Sequence, residues 1–574
     1  MVNSRIAEIF EEIADMLELD TVDRKFEVLA YRKAAQTIQD LQEPVEDIYA
    51  RGGLEALQEL PGIGKSTSQH IEEYIKTGRI GKYDELKKRF PIDFNTLTKI
   101  PGLGAKKAAR LYKELKVKDL GSLKKAIEEH RIMKLEGFGE RSEEVILKGI
   151  QQYESSSGRM LLGRALPEAE RIVKSIKGSG LVHEAVIGGS TRRRKETVGD
   201  LDILLTSGKP ERVMDFISGM REVESVVLMG PTKTTVRLKI GLNCDVRVVD
   251  DESFGAALQY FTGNKEHNVK LREIAIGKGY KLNEYGLFDK KGRNVSKDGE
   301  EDIYKKLGMD CMPPEMRENR GEVELAIKHK LPKLIELDEI RGDLHTHTTA
   351  SDGSYSIMEM ADAAKKLGRE YIGISDHSKS EYVAHGMDDR RFVKHLAAID
   401  KANDSAEGIR ILKGAEIDIL KDGSLDLSSK TMDMMDYTLA SIHTSLTMPK
   451  EEMTRRIVRA FDSGHVSIWA HPTDRLINAR EPINFDFDKV FEAAERNGVV
   501  MEIDGFPDRL DLSDENIFRA RKHKLKFCID TDSHSIDHLS FMRYGIGVAR
   551  RGWLEKGDVI NTMGCKELLS FLKR

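Results

Sequence analysis

Two aspartates, Asp200 and Asp202, interrupt the apolar run VGDLDILL at residues 198–205. Side chains two apart on an extended strand share a face, so both carboxylates point the same way. A third acid, Asp245, lies in NCDVRVVD on a later strand that could pair alongside. Three carboxylates on one sheet face repel one another unless a cation lies among them. Two Mg2+ ions (or Mn2+) held by such a triad stabilise the attacking and leaving oxygens of an in-line phosphoryl transfer. Just upstream, GGSTRRRKE at 188–196 supplies what a polyphosphate needs. Gly188 and Gly189 let backbone approach a ligand, Ser190 can donate, and Arg192, Arg193, Arg194 and Lys195 are cations. A solvated basic run followed by surface acids would leave that grouping unexplained.

A second concentration of chemistry lies in residues 341–574, which hold 11 of the 16 histidines. Six fall where strands should end: His345 and His347 in DLHTHTTASDG, His377 in ISDHS, His443 in SIHTS, His471 in WAHPT, and His534, beside Asp532, in DTDSH. Glu416 in KGAEIDI follows the same rule. Barrel strands gather their end residues around one mouth. Imidazole nitrogen and carboxylate oxygen without thiolate suit Zn2+, Mn2+ or Fe2+. His385, His395, His465, His523 and His538 are expected to be structural or surface residues, and Arg390 or Arg391 is a weaker candidate for a phosphate contact.

Three glycine loops repeat near the N-terminus: LPGIGKS at 60–66, IPGLGAKK at 100–107 and LEGFGER at 135–141. Each opens on an apolar residue and precedes a helical pattern. Backbone N–H groups in such a turn, backed by a helix dipole, suit a phosphate oxygen and ignore base identity. Gly62, Gly64, Lys65, Gly102, Gly104 and Lys106 are therefore candidate DNA-backbone contacts, with Lys107 and Arg110 nearby. The third loop has Glu136 and Glu140 beside it and is expected to serve packing.

The elements that must carry these groups fall into several domains, since 574 residues exceed one core. Residues 1–150 read as short helices, with Ile6, Ile9, Phe10, Ile13 and Leu17 at helical spacing in the first. Residues 155–310 read as α+β, with helices at 163–177 and 252–278 and a two-strand hairpin turning near Gly241. From 341 onward strands alternate with helices, as in a barrel or doubly wound sheet. The net charge of −5 hides a contrast: residues 1–60 carry −8 and residues 61–115 carry +6, a local patch fit for nucleic acid. Four scattered cysteines, an acidic amphipathic N-terminus and the lack of any long apolar run lead us to expect a cytoplasmic protein without a membrane segment.

The array GGSTRRRKETVGDLD closely resembles the palm of family X DNA polymerases, the family of DNA polymerase beta. The resemblance implies that Asp200 and Asp202 hold both palm metals, and that Asp245 holds the catalytic one and can accept the primer hydroxyl proton. It implies that Gly189, Ser190 and Arg193 bind the incoming deoxynucleoside triphosphate. QYFTGNKEHNVKLR resembles a further family segment. There Tyr260 would oppose a ribose 2′-oxygen beside Phe261 and Gly263, and Asn268 and Arg272 would contact the nascent pair or DNA. LNEYGLF at 282–288 resembles the family thumb, and AYRKAA at 30–35 its N-terminal domain. His70 stands where lyase-active members carry a Schiff-base lysine, which puts lyase activity in doubt.

The histidine-rich half resembles the polymerase and histidinol phosphatase (PHP) domain, a distorted (β/α)7 barrel with up to three Zn2+ or Mn2+ ions. By that resemblance His345, His347, Glu416 and Asp532 would hold one ion, and Glu416, His443 and His471 a second. His377, His534 and Asp352 would hold the third. The implied domains are a helix-hairpin-helix domain at 1–80, a second at 81–152, a palm at 153–250, a thumb at 251–315, a linker at 316–340 and a PHP domain at 341–574. The implied function is short-gap repair synthesis on gapped or nicked DNA by a monomer, with 3′-5′ exonuclease or abasic-site cleavage in the C-terminal half. The alternatives are a small-molecule phosphatase with vestigial DNA modules and a non-catalytic DNA scaffold.

Overall fold

The computed structural model describes residues 2–18, 24–41, 43–98, 100, 102–135, 137–156, 159–296 and 299–573. Two compact units emerge, Met1–Ser157 with Leu476–Glu481, and Gly158–Arg475 with Pro482–Arg574.

The first unit is helical. Ile6, Ile9, Phe10, Ile13 and Leu17 of the helix Val2–Glu18 are all buried, as their spacing predicts. A second apolar cluster gathers around Phe94, Leu111, Ile127 and Ile146. The three glycine loops share one turn. Gly62, Gly102 and Gly137 have φ of 75°, 85° and 77°, a left-handed conformation that penalises any Cβ. Each is followed by a buried apolar residue whose N–H closes the turn: Ile63 onto Leu60, Leu103 onto Ile100, and Phe138 onto Leu135. Gly64 and Gly104 then cap the helices Lys65–Thr77 and Ala105–Leu115. Glu136, expected to mark the third loop as structural, lies outside the described residues.

The second unit opens with a five-stranded sheet, in the order Glu184–Ile187, Asp200–Thr206, Asn243–Val249, Lys233–Leu238, Val223–Met229. The two acid-bearing strands are direct parallel neighbours; every other pair in the sheet is antiparallel. The helix expected over 252–278 is two helices, Phe254–Thr262 and Lys265–Gly277. Gly263, at φ 69°, ends the first, and the Asn264 side chain accepts from the His267 N–H to start the second.

The segment 316–340, expected as a linker, is packed instead. Its helix Glu322–Ile327 places Val323 and Ala326 in one apolar cluster with Leu271, Leu287 and Tyr304. Arg317 is fully buried, ion-paired with Glu300 and donating to the Met312 carbonyl at 2.8 Å. Buried Glu322 is likewise paired, with His267 at 2.8 Å, 55 residues away along the chain.

The rest of the unit carries two parallel sheets. One is ordered Gly342–Asp343, Tyr371–Ile374, Arg410–Lys413; the other is Glu416–Asp418, Leu439–Ser441, Ile468–Trp469, Val500–Asp504, Phe527–Asp530. Isolated parallel bridges join Thr346 to Ser533 and His377 to Glu416. Among the described residues no helix is long and apolar enough to cross a membrane.

The glycine turns yield a paired prediction. A Cβ on Gly102 would lie 2.5 Å from Val145 Cγ1, whereas one on Gly104 meets nothing within 4 Å. Gly102→Ala should destabilise the helical unit by about 1–3 kcal/mol, and Gly104→Ala by no more than about 0.5 kcal/mol, read as urea midpoints of the full chain.

Candidate active sites

In the palm sheet Asp202 pairs in register with Asp245, and Asp200 precedes Asp202 by two residues on the same face. Burial, reinforced by the Asp200 and Asp245 charges, pushes Asp202 up to about 7. Burial would raise Asp245 too, but the Lys233 ammonium at 2.8 Å and the Thr235 hydroxyl at 2.6 Å hold it below the usual range. A carboxylate whose charge is opposed first by burial and then by neighbouring acids marks a place with too few positive charges, which a divalent cation corrects. Lys233 and Thr235 escaped sequence reasoning. Their alternation in KTTVRL, on the neighbouring strand, was the available signal.

The glycine turn lies directly against these acids. Gly189 has φ 58°, and a Cβ there would sit 2.0 Å from Asp202 Oδ2. The Gly188 N–H donates to the Asp202 carbonyl at 2.7 Å. Beside the turn opens a cleft of about 470 Å³. Gly189, Ser190, Arg193, Asp200 and Asp202 line it with Tyr260, Phe261, Gly263, Asn268 and Arg272, joined by Arg159, Lys195 and Lys265.

Several groups are already engaged. The Asn268 amide donates to the Tyr260 carbonyl at 2.7 Å and accepts from Gln259 at 2.7 Å. Arg192 is turned away into a bidentate pair with Glu300, at 3.0 and 2.8 Å, so it is no ligand cation here. Arg193 meets Glu318 at 3.0 Å and donates to the Thr262 carbonyl. Glu318 also takes Arg551 at 3.0 Å, and the same Arg551 guanidinium donates to the Arg193 carbonyl at 3.1 Å and to Asp514 at 2.7 Å. Arg475 adds a pair with Glu196 at 2.7 Å. The turn beside the cleft is thus gripped by residues of the histidine-rich region.

That region brings its strand ends together around Glu416, which is buried. Glu416 Oε2 faces His377 Nδ1 at 3.0 Å, His345 Nε2 at 3.2 Å and His347 Nε2 at 3.5 Å. Its Oε1 faces His471 Nε2 at 2.9 Å and His443 Nε2 at 3.3 Å. Asp532 Oδ1 lies 3.4 Å from His345 Nε2 and 3.2 Å from His347 Nε2. Asp352 lies 3.4 Å from His534 and 3.7 Å from His377. Among the described residues four groups therefore have the compactness of an ion site: His345, His347, Glu416 and Asp532; His377, Glu416 and His443, with His471 on the same Glu416 oxygen; His347, Asp352, His377 and His534; and Glu381, Asp418 and His443.

The donor set fits metal ions. His345 Nε2, both His347 ring nitrogens, His377 Nδ1 and Glu416 Oε2 are buried with no hydrogen-bond partner, a costly arrangement unless they share a cation. Burial pushes His377 down to about 3. Burial opposes a charge on His534, but Asp352 and Asp532 together outweigh it and carry His534 up to about 10.

Two orienting acids were missed. Glu502 Oε1 lies 2.7 Å from His345 Nδ1, and Asp418 Oδ1 lies 3.2 Å from His443 Nδ1, so each fixes the far nitrogen of a candidate ligand. Glu502 sits mid-strand in VMEID, the same acid-in-apolar signal that marked Asp202. His395 pairs with buried Asp376 at 3.0 Å, and His538 stacks on Phe541. Arg391 donates to the carbonyls of Ala350, His385 and Gly386, so it braces a loop.

In the helical unit, Gly62, Gly64, Lys65, Gly102 and Gly104 are exposed. Lys106 reaches Glu18 at 2.9 Å and Lys107 donates to the Gly102 carbonyl. Half-buried His70 stacks on Tyr31.

Known proteins share these features. The helix-hairpin-helix domain family matches residues 1–80, and the SAM-like helix-hairpin-helix tandem matches 54–118 and 94–152. The DNA polymerase beta thumb family matches 257–318 and the PHP domain family 343–504. The DNA polymerase/3′-5′ exonuclease PolX of Bacillus subtilis is 38% identical over 572 residues, 99% of each chain. A probable phosphatase of Thermoanaerobacter sp. is 29% identical over 232 residues, 38% of this chain and 89% of its own. One of Acetivibrio thermocellus is 32% identical over 202 residues, 33% of this chain and 78% of its own.

Two predictions follow the electrostatics. Asp202 has its folded value raised to about 7, so its charge opposes folding above that pH and the opposition fades as pH falls toward the ordinary carboxylate value. In chelator, Asp202→Asn should stabilise the chain by on the order of 3 kcal/mol at pH 8, with the gain gone near pH 4, read from denaturant midpoints. Glu502→Gln should weaken metal binding in the histidine cluster by about 10–100-fold, measured by chelator competition.

Proposed function

The chain belongs to the family X DNA polymerases that carry a C-terminal PHP domain, and on that premise we propose that it fills short gaps in DNA during repair and trims the 3′ end it works on. It is a DNA polymerase with a 3′-5′ exonuclease. The observation that carries the reading is the coexistence, in one chain, of a register-paired acid triad beside a glycine turn and a separate imidazole cluster around Glu416.

Bound divalent ions supply Lewis acidity for both reactions, activating the attacking oxygen and offsetting charge on the leaving group. In the palm, Asp200, Asp202 and Asp245 hold them, with Mg2+ or Mn2+ the suited ions. Asp245 is the acceptor for the primer hydroxyl proton, and its bonds from Lys233 and Thr235 give way as the primer enters. The Gly189 backbone and Ser190 receive the triphosphate, and Arg193 adds positive charge. The Tyr260 and Phe261 rings, 5.1 Å apart and edge to face, form the wall against which the sugar sits, beside Gly263. Asn268 and Arg272 face the nascent pair. Asn268 exchanges its bond to the Tyr260 carbonyl for a base edge. Gly62, Gly64, Lys65, Gly102, Gly104 and Lys106 hold the backbone of gapped or nicked duplex.

In the PHP region the sheets of three and five strands and their bridges read as one distorted barrel, seven-stranded when Arg410–Lys413 and Glu416–Asp418, two residues apart, are taken as one bent strand. Its mouth holds up to three Zn2+ or Mn2+ ions on His345, His347, Glu416 and Asp532, on Glu416, His443 and His471, and on Asp352, His377 and His534. Glu502 and Asp418 keep two of those imidazoles in the tautomer that presents Nε2. Abasic-site cleavage is a further reaction open to this centre. We assign domain limits at 1–80, 81–152, 153–250, 251–315 and 341–574, with 316–340 packed onto the thumb. Monomeric action in the cytoplasm completes the reading.

The test is a double dissociation on a 5′-labelled primer in gapped DNA, with Mg2+ and Mn2+ compared. Asp200→Ala should lower extension at least about a thousandfold and leave 3′ trimming intact. His345→Ala should do the reverse. Extension that survives Asp200→Ala removes the palm from the reaction.

A further inference from the structure

The segment 378–387, HSKSEYVAHGM without its first residue, leaves His377 and returns to it. The Ser378 N–H donates to the Glu416 carbonyl at 2.9 Å, and the Met387 N–H donates to the His377 carbonyl at 2.8 Å. Both ends are therefore fixed to candidate metal ligands. Between them the loop is built tightly. The Gly386 N–H donates to the Glu381 carbonyl at 3.0 Å, and a Cβ on Gly386 would lie 1.9 Å from the Ser378 carbonyl oxygen. Asp426 accepts from the Ser380 N–H at 2.9 Å, and Ala384 is buried. Arg391 clamps the far side through the His385 and Gly386 carbonyls.

Neighbouring side chains of this braced loop point opposite ways. Glu381 faces the metal mouth, 3.7 Å from His443 Nδ1. Tyr382 and Val383 face solvent and are 88% and 80% exposed. Side chains of this size are normally buried against apolar neighbours, and this loop, with two of them at its tip, buries neither. Lys379 and Arg390, three residues before Tyr382 and eight after it, are exposed as well. An aromatic face next to cations and a phosphoester-cleaving centre is the combination that holds single-stranded nucleic acid by stacking and charge, without reading sequence.

We propose that Tyr382 is a strand-end binding residue of the exonuclease: its ring stacks on the terminal base of a frayed 3′ end, with Val383 beside it and Lys379 and Arg390 near the backbone. This rests on the exonuclease reading above and adds to it a residue that receives the terminal base. The stack gives the domain a purchase on nucleic acid that a small phosphate ester does not need.

The experiment uses the full chain with Mn2+ and two 5′-labelled single strands, one ending in an ordinary nucleotide and one in a base-free tetrahydrofuran residue. Tyr382→Ala should lower kcat/KM roughly tenfold or more on the ordinary end and leave the base-free end unchanged. Tyr382→Phe should restore the wild-type rate. Hydrolysis of bis(4-nitrophenyl) phosphate and primer extension should be unaffected by either change. An equal loss on both ends overturns the stacking role, as does no loss on either. A wild-type chain that leaves both strands whole overturns the exonuclease reading and this inference together, whereas trimming by the wild type with no response to Tyr382→Ala overturns the inference alone.

Discussion

The C-terminal chemistry depends on one carboxylate. Glu416 is buried at the start of a parallel strand, and its two oxygens are divided among five imidazoles. A buried anion of this kind is destabilising unless paired, and a buried imidazole with an empty lone pair is scarcely better. Neither half of the arrangement is satisfied by the protein alone, as the orphaned nitrogens of His345, His347 and His377 record. The fold tolerates the conflict because parallel strands pin each residue by backbone ladders and acids behind the cluster hold the rings. Glu502, for example, binds His345 through one oxygen and the His471 N–H through the other. The tolerance is functional: groups that cannot satisfy one another remain available to cations and to what cations attract.

The palm meets the opposite imbalance. Three acids converge; Lys233 is in contact with Asp245, while Arg193 and Lys233 reach Asp202 only as more distant charges that do not offset its burial and its acidic neighbours. Asp202 retains its excess repulsion, and the backbone yields to it. Gly189 takes a left-handed conformation where no side chain fits, so the turn can lie on the carboxylate itself. Packing, conformation and charge here answer to the same few ångströms.

Much of this was legible in the chain. The period-two spacing of Asp200 and Asp202, the Gly-x-Gly turns, and histidines placed at strand ends are local signals, and local signals survive in one dimension. What escaped was relational. Glu502 matters because of His345, 157 residues away, and Lys233, though only twelve residues from Asp245, meets it through the register of a hairpin rather than through any local spacing. The break at Gly263 was hidden because the apolar pattern continues on either side of it, while the left-handed glycine interrupts only the backbone. The charges of 316–340 looked like a solvated linker; Arg317 and Glu322 are instead buried against Glu300 and His267. Charge composition reports exposure only when pairing is absent.

Arg551 carries a consequence for how the two centres share one piece of DNA. It joins Glu318, Asp514 and the Arg193 carbonyl in a buried cluster, so the glycine turn beside the cleft and the histidine-rich region are joined by charges that are costly to separate. On the proposed reading, with that joint intact, it is the nucleic acid that travels, and the choice between growth and removal becomes a kinetic partition governed by how often terminal pairs melt. Mispaired ends melt more readily than matched ones, so discrimination can come from the duplex's own instability.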